Sequence, residues 1–158
     1  MKRLWLLAGM AIPLVAVTAQ APAGFEHWTP ADIQSAAKAL ATTAAADPHH
    51  VATKTLGDFP NDLYLLAHRE ADGTPELHET QADIFFVQSG TATLIVGGTL
   101  LSAETTAPHE KRNGTMQGGT RQKLGAGDVV RIPAGVPHQL VLDGAREFTY
   151  LVVKVKNY

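Results

Sequence analysis

The sequence predicts an all-β domain, a barrel or sandwich, with one helix near its N-terminal end. Three observations carry this. Beyond residue 50 the chain is a succession of short segments rich in β-branched and aromatic residues, cut by Gly, Pro, Asp and Asn; this is the punctuation of strands and turns. A single stretch, TPADIQSAAKALATTAAA (29–46), combines helix formers with a start signal. The chain has no cysteine, so stability must come from a core. Its 158 residues, 45% of them hydrophobic, are enough for one such core and too few for two comfortable ones.

Taken in order, the chain opens with MKR, the apolar run LWLLAGMAIPLVAV, and then VTAQAPA with small residues at Ala19, Ala21 and Ala23. That succession reads as a secretory signal peptide spanning residues 1–19, cut after Ala19, with Ala21 nearly as good a site. A membrane anchor is the competing reading. The run is shorter than the roughly 20 residues a spanning helix needs, and it contains Pro13. The expected product is periplasmic or secreted and free of the membrane after cleavage. Loss of Lys2 and Arg3, with no acid, takes the formal charge from -2 to -4. That balance gives no footing for nucleic acid.

In the helical stretch Thr29 can cap, Pro30 suits the first helical position, and Asp32 completes a capping box. DPHH ends the helix; adjacent His49 and His50 read as surface residues. The expected strands are HVATKTL, DLYLLAHR, PELHE, DIFFVQ, TATLIV, TLLSAE, QKLG, DVVRIP, HQLVLD and EFTYLVVKV. Between them TTAPHEKRNGTMQGGT is polar and Gly-rich and reads as a long mobile loop. The expected division is residues 20–59 as an N-terminal extension with the helix and first strand, and 60–158 as the barrel.

PELHETQAD (75–83) places His78 among Glu76, Glu79 and Asp83. It is either an acidic surface turn or half of a metal site. GDVVRIPAGVPHQLVL supplies Gly127, Pro133, Gly135 and His138. Together with ELHETQADIFFVQSG it resembles the cupin superfamily over roughly residues 60–156. The second cupin motif is Gly, five residues, Pro, one, Gly, two, His, three, Asn, and only its terminal Asn departs, being Leu142. In the first motif, anchoring on Gly90 puts Asp83 at the Glu position, His78 at the second His and Glu76 at the first. The opening Gly falls at Glu70 and is missing.

The resemblance implies a double-stranded β-helix (jelly-roll barrel) with an interior site of Glu76, His78, Asp83 and His138 holding a divalent transition metal. Such a nitrogen and oxygen set suits Mn, Fe, Ni or Zn. On a strand Glu76 and His78 face one way and Glu79 the other. Alternation from Asp83 turns Phe85 and Val87 inward, and from His138 it turns Leu140 and Leu142 inward. His68 is a lesser candidate, with exposure at a strand end as its alternative; His109 is expected to be exposed. No nucleophile–His–acid triad and no phosphate loop is visible. The implied function is an exported cupin that binds a metal and acts on or binds a small organic molecule. The alternative is a non-catalytic ligand-binding or structural module. Cupins often pair, so a homodimer is expected, with the apolar FTYLVVKV as the contributing edge.

Overall fold

A computed structural model describes residues 20–156; the proposed signal peptide lies outside the described residues. Helix α1 spans Pro30–Ala46. Strands follow as β1 Val51–Asp58, β2 Asp62–Arg69, β3 Glu76–His78, β4 Ala82–Val96, β5 Thr99–Leu101, β6 Glu104–Ala107, β7 Glu110–Arg112, β8 Thr115–Gln117, β9 Thr120–Gly125, β10 Val129–Ile132, β11 His138–Val141 and β12 Phe148–Val155. None of the described helices is long and apolar enough to cross a membrane.

The helix begins where the sequence places its cap. Thr29 accepts from the Asp32 amide, and the Asp32 carboxylate accepts from the Thr29 amide, so two otherwise unpaired donors are satisfied. Its small apolar face, Ala36, Leu40 and Ala44, packs on Ala52 and Leu66. The helix therefore covers the outer face of β1 and β2.

The strands form one curled antiparallel sheet in the order β1-β2-β12-β4-β11-β3-β7-β6, with β9 and β10 also paired to β4 and a separate β5-β8 ribbon. β4 is the spine. Its first half pairs with β12 and β10, its second half with β11 and β9. Two expected strands, DIFFVQ and TATLIV, are thus one strand bent at Gly90. Gly90 has φ +76°, and a Cβ there would lie 2.1 Å from the Glu147 carbonyl oxygen, so only glycine fits the bend. A register shift in the pairing of β4 with β12 lies beside it. The curled sheet encloses a core of Ala67, Phe85, Val87, Ala92, Leu94, Leu124, Ile132, Leu140, Leu142, Phe148, Tyr150 and Val152.

Two expectations are corrected. The stretch read as a mobile loop contains β6, β7 and β8, and β7 pairs with both β3 and β6. Its polar sequence hides this because these are short strands with mostly exposed side chains. The C-terminal strand offers no edge, because β12 is bonded on both sides, to β2 and to β4. Its unbroken apolar run is that of a central strand.

Candidate metal centre

The site forms where β3, β4, β11 and β12 meet. His138 is registered against Glu76 on one side and Val96 on the other. The Pro133–Val136 turn is tied to the other half of the site: the Gly135 amide donates to the His78 carbonyl at 2.8 Å. Gly135 holds φ +74° there, a conformation glycine adopts without strain. The two sequence stretches singled out above thus meet through backbone as well as side chains.

Glu76, His78 and His138 each present a ligand atom within 4.8 Å of the others. Asp83 lies beside them. Its Oδ2 is 3.4 Å from His78 Nε2 and 3.7 Å from His138 Nε2, while Glu76 carboxylate oxygens are 3.7 Å and 3.5 Å from the same two nitrogens. His78, Asp83 and His138 are each 2% exposed and Glu76 19%. All four candidates therefore share one buried spot.

Hydrogen bonds on the far side of each ring set its orientation. His138 Nδ1 donates to the Val136 carbonyl at 3.1 Å, which leaves Nε2 with its lone pair directed inward. That nitrogen is buried and, among the described residues, has no hydrogen-bond partner. His78 Nδ1 donates to Glu110 Oε2 at 2.5 Å, the carboxylate–imidazole arrangement that fixes metal-binding histidines. A lone pair facing two carboxylates is unfavourable unless a cation or proton joins them.

The sequence reading missed three charged neighbours. Lys154 Nζ donates to His78 Nε2 at 2.9 Å and to Asp83 at 2.9 and 3.1 Å. Arg112 pairs with Glu76 at 2.5 Å, and Glu110 supports His78. All three sit directly opposite site residues: Lys154 faces Asp83, Arg112 faces Glu76 and Glu110 faces His78. Burial works against the Glu76 carboxylate, but His138, Arg112 and His78 hold it well below the usual carboxylate range. Burial likewise opposes Asp83, and His78 and Lys154 overcome it, so its pKa is lowered. For His78, burial and Lys154 disfavour the imidazolium while Asp83 and Glu76 favour it, and the balance is upward.

The other expected residues fall as follows. Glu79 points away, half-exposed, to Lys111 and His109. Phe85 lines a cavity of about 470 Å³ next to the site. Val87, Leu140 and Leu142 are inside but belong to the packed core. His68 is not exposed at a strand end: it is buried, with Nδ1 2.8 Å from Thr149 Oγ1, because β12 covers β2 at that point. His49 is exposed at the cavity rim.

No family model and no curated protein matches this chain. Solved structures do. KdgF from Halomonas sp. aligns at 17% identity and TM-score 0.51, over 71% of this chain and 84% of its own. A conserved Klebsiella pneumoniae protein with a double-stranded β-helix domain aligns at 16% and 0.51, over 68% and 77%. The cupin domain of Schizosaccharomyces pombe Cnp3 aligns at 10% and 0.51, over 67% and 64%. At these identities the likeness concerns the fold. The chain has the fold of the cupin superfamily, a double-stranded β-helix with one N-terminal helix.

Proposed function

We propose that this protein binds a divalent transition metal through Glu76, His78 and His138, with Asp83 as a neighbouring carboxylate, and presents it to a small organic molecule in the adjoining cavity. The observation that carries this reading is His138 Nε2. It is buried and has no hydrogen-bond partner among the described residues, and carboxylates lie 3.5 and 3.7 Å away. A metal of the Mn, Fe, Ni or Zn type fits that donor set. Once bound, it would supply a Lewis acid at the cavity floor. The chain's own residues divide the remaining work. Glu110 orients His78, Arg112 holds Glu76, and Phe85, Leu65 and Val152 form apolar cavity wall.

A second reading is favoured by Lys154, whose ammonium already touches His78 and Asp83. In it the barrel binds an organic ligand without metal and the lysine is the resident cation. Calorimetric titration of the metal-stripped protein with Mn(II) and Zn(II) separates the two. Under the metal reading His138→Ala and His78→Ala lose at least about tenfold in affinity, and Glu79→Ala changes little. Unchanged binding in both folded histidine variants would refute it.

The basic–apolar–small N-terminus supports export. N-terminal sequencing of the extracytoplasmic protein should begin near Gln20; intact Met1 in a soluble cytoplasmic pool would count against it.

A further inference from the structure

The cavity beside the metal centre is lined by three cations, Arg69, Arg112 and Lys154, and by three carboxylates, Asp72, Glu76 and Asp83. Two of the cations are taken. Arg112 is paired with Glu76 and Glu110, and Lys154 with Asp83. Asp72 accepts from the Leu142 amide at 2.6 Å. Arg69 is different. It has no carboxylate within 4.0 Å among the described residues. Among the described residues its side-chain hydrogen bond runs from Nη2 to the Tyr150 hydroxyl at 3.4 Å, and its buried Nε has no partner.

Strand alternation explains why it points inward. Leu65, Ala67 and Arg69 follow at period two on β2, and all three line the cavity. The loop opposite leaves room for it. A Cβ at Gly73 would lie 2.6 Å from Arg69 Nη1. That loop is pinned, with the Gly73 amide donating to Leu140 and its carbonyl accepting from Gln139, each at 2.7 Å. A guanidinium with unused donors, placed in a preformed cavity, costs stability unless something pairs with it.

We propose that Arg69, with the Tyr150 hydroxyl, is the anchor for a small organic carboxylate whose hydrocarbon body lies against Leu65, Ala67, Phe85 and Val152. One planar fork matches one carboxylate in shape and charge. Burial pushes the Tyr150 hydroxyl up, so it stays neutral and can donate. Asp72 already accepts from a backbone amide and acts on Arg69 only at longer range, whereas the guanidinium keeps unused donors, so Arg69 is the wall group with hydrogen bonds left to offer a ligand. The inference deepens the reading of this barrel as a ligand site, and it does not require the metal.

The test compares cyclohexanecarboxylate with cyclohexanecarboxamide, which share shape and differ in charge, by calorimetry on the purified protein with and without Mn(II). The acid should bind, and the amide should bind about ten- to a hundredfold more weakly, the worth of a hydrogen bond to a charged group. Arg69→Met should erase that preference and Arg69→Lys should keep part of it, while Mn(II) measured alone should still bind at least as well as to wild type, since Arg69 is not among the proposed ligands and its charge acts on Glu76. Equal binding of acid and amide, no binding of the acid to folded wild-type protein, or a preference that survives Arg69→Met would each overturn the proposal. Inorganic phosphate displacing the acid at lower concentration would overturn the carboxylate assignment. Loss of Mn(II) binding in wild type, with the acid still preferred, would instead strike only the metal reading.

Discussion

At the residue scale, the site is a competition for two side chains. Lys154 uses the His78 lone pair and both oxygens of Asp83, the same atoms a metal would need. Removing the ammonium should therefore strengthen metal binding. Lys154→Met is expected to raise Mn(II) affinity by about tenfold, the scale of one charge contact at a half-screened site. Glu110→Gln should act the other way, lowering affinity about ten- to a hundredfold by loosening His78. Titration of both variants checks the pair, and weaker binding in Lys154→Met would mean that the lysine helps hold the metal's ligands. The convergence of Glu76, His78, Asp83 and His138 was legible because motif spacing fixes their positions. Lys154 carried a weaker signal: Tyr150, Val152 and Lys154 follow at period two, so alternation alone turns the lysine inward with the apolar residues. Glu110 and Arg112 carried almost none. They reach the site through the pairing of β7 with β3, with Glu110 32 positions beyond His78, and strand pairing at that separation leaves no local trace.

At the scale of elements, local chemistry predicted well and tertiary pairing did not. The helix was readable from Thr29, Pro30 and Asp32 because a cap is satisfied within four residues. The strand bend at Gly90 and the central position of β12 were not, since both depend on what lies alongside. The β11–β12 turn shows the same dependence. Asp143 sits there at φ +50° and ties it to neighbouring strands: Thr93 Oγ1 donates to its carboxylate at 2.5 Å and Arg121 at 2.9 Å. These donors hold the Asp143 carboxyl below its ordinary value. A folded-state pKa below the unfolded one gives stability that is present above the unfolded pKa and lost as pH falls through the folded one. Asp143→Asn tolerates the left-handed backbone and cannot ionise. It should therefore be less stable than wild type near neutrality. That gap should begin to shrink below about pH 4, the unfolded carboxylate's pKa, and go on shrinking as pH falls toward the lower folded-state value. Urea midpoints measured from pH 3 to pH 7 check this; a gap independent of pH would assign the effect to the turn rather than to the charge.

At the scale of the whole molecule, the barrel joins a packed half to a polar half. Phe85, Phe148, Leu94 and Ile132 are almost fully buried in the first. In the second, β3 with β7 and β4 with β12 supply cross-strand charge pairs around His78 and His138. Buried charges of this kind add little to stability on their own, and each becomes costly when its partner is missing. A bound cation that completes the arrangement should then act on the entire fold, because the ligands come from β3 and β11, strands far apart in sequence that are brought together only by folding. A ligand that binds only the folded state at about a hundred times its Kd adds about 2.7 kcal/mol. For a domain of this size that is a rise of about 8 °C in Tm. Thermal unfolding of the metal-stripped protein should show such a rise on adding Mn(II) or Zn(II), reversed by a chelator. His138→Ala should show at most about half of that rise under the same metal concentration, while Arg69→Met should retain it. An equal rise in wild type and His138→Ala would place the cation on some other surface and leave the barrel floor to Lys154.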